Sequence, residues 1–198
     1  ARIIRTLLIE LLYRSIPFIA RMHTRTPTNI KTQTQVHSCA GYSVVTYLLG
    51  LGDRHFDNLM LKPSGHFFHI DFGWAFGQDP KPYPSKMRLN KDIIDGMGGV
   101  KSPWYGLFEK LCCDAFLILR DHVRDICVLL DLMSQAGIHH MGIGDDAADV
   151  IEVVRGNFLP HLSDEDASNA LKEIVVESIG AVMPEVMEYF HKVAVSFK

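Results

Sequence analysis

The sequence predicts an α+β domain that is mainly helical and contains one small β-hairpin. Apolar side chains recur at helical spacing over residues 104–136, and two short apolar runs at 59–61 and 66–70 flank a Lys-Pro-Ser-Gly turn. The composition of the 198 residues, 47% hydrophobic and 22% charged, is typical of a folded globular chain. No uncharged apolar stretch approaches the roughly 20 residues that a membrane span needs.

The front of the chain differs from the rest in charge and composition. Residues 1–38 hold six Lys and Arg residues and one acid, although the whole chain has a net charge of −3. A basic front on an acidic body disfavours a nucleic-acid-binding protein. Helical spacing of apolar residues predicts a short basic helix over 2–13, and the Thr-rich stretch 22–37 predicts a linker.

The remaining elements are predicted from local signals. The small-residue apolar segment 38–52 ends in glycines and predicts a helix, whereas the Pro- and Gly-rich residues 74–90 predict a long loop. Ser163 and Asp166 form the pattern of an N-terminal capping box, which predicts a helix after them. The four cysteines have no paired spacing, so we expect a reducing compartment. We interpret Cys112 and Cys113 as buried small apolar residues.

Two polar motifs flank the hairpin. The first is Asp53-Arg54-His55-Phe56-Asp57-Asn58, and the second is Asp71-Phe72-Gly73. This order of polar loop, hairpin and Asp-Phe-Gly resembles the arrangement by which kinase-like folds transfer phosphoryl groups. Phosphoryl transfer needs carboxylate and amide oxygens that hold Mg²⁺ or Mn²⁺ against the phosphates of ATP. It also needs a side chain that accepts the proton of the attacking hydroxyl. We predict Asn58 and Asp71 as metal ligands, Asp53 or His55 as the proton acceptor, and Arg54 as a brace for the loop.

The order Asp-Arg-His, followed by Asp-Phe-Gly, resembles the phosphatidylinositol 3/4-kinase superfamily. Further motifs resemble its class III phosphatidylinositol 3-kinase catalytic subunits, namely 38–42 (SCAGY), Gly77, 79–82 (DPKP), 87–89 (MRL) and 95–99 (DGMGG). This resemblance covers 38–198 and implies the C-terminal lobe of a kinase domain. Residues 1–37 do not match it and hold no phosphate-binding loop. We therefore expect the N-lobe to be absent and this chain alone not to be competent.

The resemblance implies a reaction and a cellular setting. The expected reaction is ATP-dependent phosphorylation of phosphatidylinositol at the 3-hydroxyl, which gives phosphatidylinositol 3-phosphate. The expected location is cytoplasmic, peripheral on endosomal and autophagic membranes. The expected partners are a pseudokinase-like regulatory subunit and a coiled-coil scaffold subunit, with no nucleic acid.

The resemblance also implies names for three segments. The catalytic loop is 50–58, the activation loop is 71–96, and a C-terminal amphipathic helix is 185–198. In the activation loop the family pattern includes Phe72, Gly73, Asp79, Pro80 and Pro82.

The cations of the long loop are candidates for substrate binding. Lys81, Lys86 and Arg88 are its only basic residues. We expect them to meet the bridging phosphate of the lipid and the acidic membrane surface. A substrate with extra ring phosphates requires a denser cationic cluster, so the sparse charge favours unphosphorylated phosphatidylinositol. The alternative is that these side chains only solvate a Pro-rich segment.

The last segment of the chain predicts a membrane-binding helix. Its apolar side chains fall on one continuous helical face. Aromatic and basic residues on such a helix favour a lipid interface, and the candidate membrane residues are Tyr189, Phe190, Lys192 and Phe197. The alternative is that this face packs on the lobe.

Three further alternatives stay open at this stage. The chain could be a non-catalytic interaction module, or a protein kinase of the same superfamily. Members of the protein-kinase branch end in a short aromatic-rich motif, which residues 193–198 do not resemble. A zinc site at His66 and His69 lacks a third ligand at suitable spacing, so we interpret both as surface or core histidines.

Overall fold

A computed structural model describes residues 27–80, 84–87, 89–135 and 145–182. In this part of the chain the structure is mostly helical, with one two-stranded antiparallel sheet, in agreement with the predicted α+β class. The elements in chain order are α1 (Pro27–Leu48), a 3₁₀ turn (Phe56–Asn58), β1 (Leu59–Leu61), β2 (Phe67–His69), α2 (Lys91–Gly96), α3 (Pro103–Asp121), α4 (Val123–Gln135), α5 (Asp145–Asn157) and α6 (Asp164–Val182).

The predicted linker at 22–37 is wrong from residue 27 onward, because helix α1 begins at Pro27. The polar side chains there bond to the helix itself: Thr34 Oγ1 donates to the Ile30 carbonyl at 2.7 Å, and Ser38 Oγ donates to the Thr34 carbonyl at 2.7 Å. Val36 is fully buried. Internal bonding and one apolar face therefore allow a Thr-rich stretch to be helical. The basic helix predicted at 2–13 lies outside the described residues.

The hydrophobic core lies between α1 and α3, which pack along each other. Its fully buried side chains include Val44 of α1 with Phe108 and Phe116 of α3. Cys112 and Cys113 are buried in the same core, which confirms their interpretation as small apolar residues. Helix α6 packs on α3, and α5 packs on α4. Every helix in the described ranges is too short or too polar to cross a membrane.

The long helix predicted over 104–136 consists of two helices that meet at His122. The apolar stripe continues through the junction, since Leu119, Ile126 and Leu130 are all buried. Hydrophobic periodicity alone therefore does not reveal the break. Two residues before His122, the Arg120 guanidinium donates to the carbonyls of Phe158, Leu159 and Leu162, and it pairs with Asp164. The end of α3 is thus fixed by the connection between α5 and α6.

Side-chain hydrogen bonds cap the start of α6 and the end of α1. Ser163 Oγ accepts the Asp166 N–H at 3.1 Å and donates to Asp166 Oδ2 at 2.7 Å, so the predicted N-cap and helix start are confirmed. Asn157 Nδ2 donates to the Tyr47 and Leu48 carbonyls, both at 3.2 Å. The sequence analysis did not predict α5, yet this helix closes the end of α1. The amphipathic helix predicted over 185–198 lies outside the described residues.

The predicted hairpin is confirmed: β1 and β2 pair antiparallel, with Leu59 opposite His69 and Met60 opposite Phe68. Phe67 and His69 are buried, and β2 packs on α1. The His69 ring stacks on Tyr42 with centroids 5.3 Å apart. Since side chains alternate along a strand, Met60 and Phe68 lie on the other face of the hairpin.

Candidate active site

Arg54 joins the catalytic loop to the segment that follows β2. Its side chain is buried, and its guanidinium donates to three backbone carbonyls: Gly52 at 2.7 Å, Ile70 at 2.7 Å, and Asp71. The guanidinium carbon also lies 5.4 Å from the centroid of the Phe72 ring. A planar group with several fixed donors suits this task. The two polar motifs of the sequence are therefore bonded to each other.

Asn58 stands at the point where the catalytic loop enters the hairpin, and it is buried. Its Nδ2 donates to the Asp53 carbonyl at 2.8 Å and lies 3.2 Å from His55 Nε2. Its backbone carbonyl accepts the Ile70 N–H at 3.0 Å, which places Asn58 across the hairpin from the residue before Asp71. Both side-chain contacts use Nδ2, so Oδ1 is the atom that remains for a metal ion.

His55 lies between two carboxylates. Its Nε2 is 3.8 Å from Asp53 Oδ2, and its Nδ1 is 3.8 Å from Asp57 Oδ2. The His55 side chain is 44% exposed and that of Asp57 is 97% exposed, so this group faces solvent. The structure thus brings together both residues predicted for proton transfer. Asp57 was quoted in the motif but was not predicted as a functional residue.

Asp53 and Asp71 both have left-handed backbones, with φ of 53° and 56°. For a non-glycine residue this conformation costs roughly 1–2 kcal/mol, and such residues cluster at functional sites. Asp is among the residues that tolerate it best. The Asp71 side chain is exposed, and its Oδ1 accepts the Gly73 N–H at 3.3 Å. Both predicted functional carboxylates are therefore at strained backbone positions.

The segment after Asp71 runs directly against the catalytic loop. Phe76 N–H donates to the Leu49 carbonyl at 2.9 Å, and Gly77 N–H donates to the Gly50 carbonyl at 2.9 Å. A Cβ at Gly50 would lie 2.5 Å from the Gly77 nitrogen, so only a residue without a side chain fits there. The sequence analysis noted Gly77 only as part of a family motif. Its pairing with residue 50 requires the folded structure.

The other predicted residues are placed as follows. Phe72 and Asp79 are half-buried, whereas Gly73, Pro80 and Lys86 are exposed. Lys81, Pro82 and Arg88, together with the membrane residues Tyr189, Phe190, Lys192 and Phe197, lie outside the described residues.

The end of the activation loop is anchored to α6. Met87 and Leu89 are buried, and the Met87 N–H donates to Ser178 Oγ of α6 at 3.0 Å. This contact joins residues 91 positions apart in the chain. Met87 of the motif at 87–89 therefore fixes the end of the activation loop to α6.

One feature of the hairpin was missed by the sequence analysis, and for a second, His69, the interpretation as a core histidine is confirmed. Met60 and Ile70 are exposed apolar side chains beside Asn58 and Asp71, and strand alternation could have identified Met60. His69 is the second feature: its ring nitrogens have no hydrogen-bond partner within the described ranges. Burial, helped by the nearby Arg54 charge, lowers the pKa of His69 from 6.5 to about 3. His69 is therefore neutral at pH 7.

Together these features define the class: a mostly helical domain with a small antiparallel sheet, consistent with a kinase-like C-terminal lobe. The family profile "Phosphatidylinositol 3- and 4-kinase" matches residues 20–143. The chain belongs to this family. The match begins well before residue 38, so the expectation that all of residues 1–37 lie outside the family pattern is wrong.

Individual relatives agree with the family. The chain is 43% identical over 159 residues to phosphatidylinositol 3-kinase VPS34 of Saccharomyces cerevisiae. The matched segment covers 80% of this chain and 18% of that protein. It is 41% identical over 160 residues to the nodule isoform of phosphatidylinositol 3-kinase of Glycine max, covering 81% and 20%. It is 38% identical over 185 residues to VPS34 of Candida albicans, covering 90% and 18%. The chain thus spans about a fifth of the length of these relatives.

Proposed function

We propose that this chain forms the catalytic lobe of an enzyme that transfers the γ-phosphoryl group of ATP to the 3-hydroxyl of phosphatidylinositol. The observation that carries this proposal is the bonded cluster of Asp53, His55 and Asn58, joined through Arg54 to Asp71. The relatives named phosphatidylinositol 3-kinase support the reaction and its substrate. The product is phosphatidylinositol 3-phosphate.

The donor set fits a magnesium or manganese ion. Asn58 Oδ1 and the exposed Asp71 carboxylate are oxygen ligands on neighbouring backbone segments, connected by the Ile70 N–H to Asn58 carbonyl bond. Mg²⁺ is commonly held by one or two carboxylates together with phosphates of the substrate. When bound with ATP, the metal neutralises charge on the phosphoryl group. Asn58 and Asp71 hold it from the protein side.

Proton transfer belongs to His55 and Asp53. When Asn58 Nδ2 donates to His55 Nε2, a neutral imidazole carries its proton on Nδ1, on the side of Asp57. The Nε2 lone pair then faces Asp53 and Asn58, and it can accept a hydroxyl proton once the substrate hydroxyl replaces the Asn58 Nδ2 donor there. The Asp53 carboxylate, 3.8 Å from Nε2, either stabilises the imidazolium that forms or accepts the proton itself.

The exposed outer face of the hairpin suits the nucleotide base. Met60 and Ile70 are apolar, exposed and adjacent to the two metal ligands. A flat aromatic base can cover such side chains and remove their area from water. We assign these two residues to the adenine side of the site.

Lipid recognition is assigned to the activation loop and the end of the chain. Lys86 is exposed, and with Lys81 and Arg88 it supplies few cations, which supports unphosphorylated phosphatidylinositol as the substrate. Tyr189, Phe190, Lys192 and Phe197 supply membrane contact. Peripheral binding to endosomal and autophagic membranes, a pseudokinase-like regulatory subunit and a coiled-coil scaffold subunit complete the proposal, and all three rest on the family resemblance.

The test is a product analysis on the full-length gene product. Phosphatidylinositol vesicles, Mg²⁺ and labelled ATP should give a lipid product with phosphate at the 3-position. Phosphate at the 4-position, or phosphorylation of protein without lipid, would contradict the proposal. Absence of any transfer by a preparation that binds no Mg²⁺–ATP would favour the interaction module.

A further inference from the structure

Asp53 needs a partner that holds its strained backbone. With φ at 53°, it tends to relax towards a right-handed or extended conformation. Its carbonyl is held from within the catalytic loop, by the Asn58 side chain at 2.8 Å and the His55 N–H at 3.1 Å. Its own N–H is held from a different segment. That donor points to Asp79 Oδ2 at 3.0 Å, a residue 26 positions further along the chain.

The contact with Asp79 is built into the backbone around it. Gly52 N–H donates to the Trp74 carbonyl at 3.1 Å, so the two segments are already paired beside it. A Cβ at Gly52 would collide with the Gln78 carbonyl and lie 2.9 Å from both Asp79 Cα and Asp79 Oδ2. The absence of a side chain at Gly52 therefore lets Asp79 approach the Asp53 amide. A charged acceptor also makes this hydrogen bond stronger than a neutral pair.

We propose that Asp79 is a positioning residue, whose carboxylate holds the Asp53 backbone and, through it, the His55 side chain in the geometry for proton transfer. This inference rests on the proposed function. It implies that the catalytic loop has its working shape only while the segment 74–79 is docked on it. Docking of the activation loop and proton transfer at His55 are then coupled through one carboxylate.

A purely structural role for Asp79 predicts a different result. An acid before a proline can act as an ordinary turn residue, and its loss would then lower stability without a specific effect on turnover. A positioning role predicts that turnover falls while nucleotide binding is retained. A displacement of about 1 Å in a reacting group can cost on the order of 10²-fold in rate.

The experiment compares three substitutions in the full-length gene product. Asp79→Asn keeps an oxygen acceptor, whereas Asp79→Ala and the similarly sized Asp79→Leu remove it. Asp121→Ala removes an exposed carboxylate at the end of α3 and is the matched control. Steady-state kinetics on phosphatidylinositol vesicles give kcat and the KM for ATP, and hydrogen exchange gives the protection of the Asp53 amide.

We expect Asp79→Ala and Asp79→Leu to lower kcat by about 10- to 100-fold, with the KM for ATP almost unchanged. Faster exchange at the Asp53 amide should accompany this loss. Asp79→Asn should recover most of kcat, and Asp121→Ala should match the wild type. If either Asp79→Ala or Asp79→Leu fails to fold, the variant that folds is compared with the wild type. If neither folds, a positioning role requires that Asp79→Asn folds and has a kcat and an Asp53 amide protection near those of the wild type.

Two results would overturn the inference. One is wild-type kcat in a folded variant that lacks the acceptor. The other is an Asp79→Asn enzyme as slow as Asp79→Ala while the Asp53 amide stays protected in both. If the wild type phosphorylates no phosphatidylinositol, the proposed function is wrong, and the same exchange measurement still decides whether Asp79 holds Asp53.

Discussion

Helices α1 and α3 are joined by buried apolar side chains, whereas the catalytic and activation loops are joined by hydrogen bonds to backbone groups. Phe108 and Phe116 show the first kind of contact, and Arg54 and Asp79 show the second. Apolar packing stabilises without strict direction, but each hydrogen bond in the loops fixes one donor to one acceptor. Substitutions in the helices should therefore alter stability first, and substitutions in the loops should alter turnover first.

The largest effect on turnover is expected at Asp71. Asp71→Ala removes a proposed metal ligand from an exposed position, so activity should be lost while the fold is retained. His55→Ala should be milder, because general-base assistance contributes about 10²–10⁴-fold. Single-turnover phosphorylation of phosphatidylinositol, with circular dichroism as the folding control, measures both. Near-wild-type activity of Asp71→Ala would show that the Asp71 carboxylate is not needed for phosphoryl transfer.

The largest effect on stability is expected in the helical core. Phe108 is fully buried on α3, and truncation of a buried phenylalanine costs about 3–5 kcal/mol. Phe108→Ala should lower the free energy of unfolding by this amount in urea titrations. Leu132→Ala, on the exposed face of α4, is the control and should change it by less than about 0.5 kcal/mol. Equal losses of unfolding free energy in both variants would mean that Phe108 of α3 does not stabilise the core.

A smaller, pH-dependent effect is expected at His69, where a titratable group lies in the apolar contact between hairpin and α1. Its pKa is about 3 in the folded state, below the usual 6.5, so the unfolded chain binds more protons under acidic conditions. The contribution of the neutral His69 to the free energy of unfolding is fully present above pH 6.5. It decreases as the pH falls from 6.5 towards 3. Between pH 7 and pH 5 the loss should be about 2 kcal/mol.

The matched variant for this measurement is His69→Phe, which keeps a ring against Tyr42 but cannot titrate. Its urea midpoint should change less between pH 7 and pH 5 than that of the wild type. Parallel pH profiles of the two proteins would show that His69 is not held neutral in the fold.

The sequence predicted the elements whose signals are local. The hairpin follows from two apolar runs around a turn, and the start of α6 follows from Ser163 and Asp166, three residues apart. The break at His122 was missed because Leu119 and Ile126 keep the apolar period across it. The start of helix α1 was predicted as a linker, because a Thr-rich stretch suggests a loop until the bond from Thr34 to the Ile30 carbonyl is visible.

The candidate site was predictable in its residue types but not in its connections. The spacing of the two polar motifs identified Asp53, His55, Asn58 and Asp71, and the structure brings them together. The bond from Asp53 to Asp79 and the contact of Gly50 with Gly77 join positions about 26 residues apart. Such contacts depend on how the activation loop folds back, which no local pattern encodes.

If Asn58 and Asp71 hold a divalent metal with the nucleotide, as proposed, their loss should weaken Mn²⁺ binding. Electron paramagnetic resonance of Mn²⁺ titrated into the full-length gene product with an ATP analogue should show a bound ion in the wild type and in the control Asp121→Asn. Binding should be weakened at least tenfold in Asn58→Ala and in Asp71→Asn. Unchanged Mn²⁺ affinity in Asp71→Asn would show that the Asp71 carboxylate does not hold the metal ion.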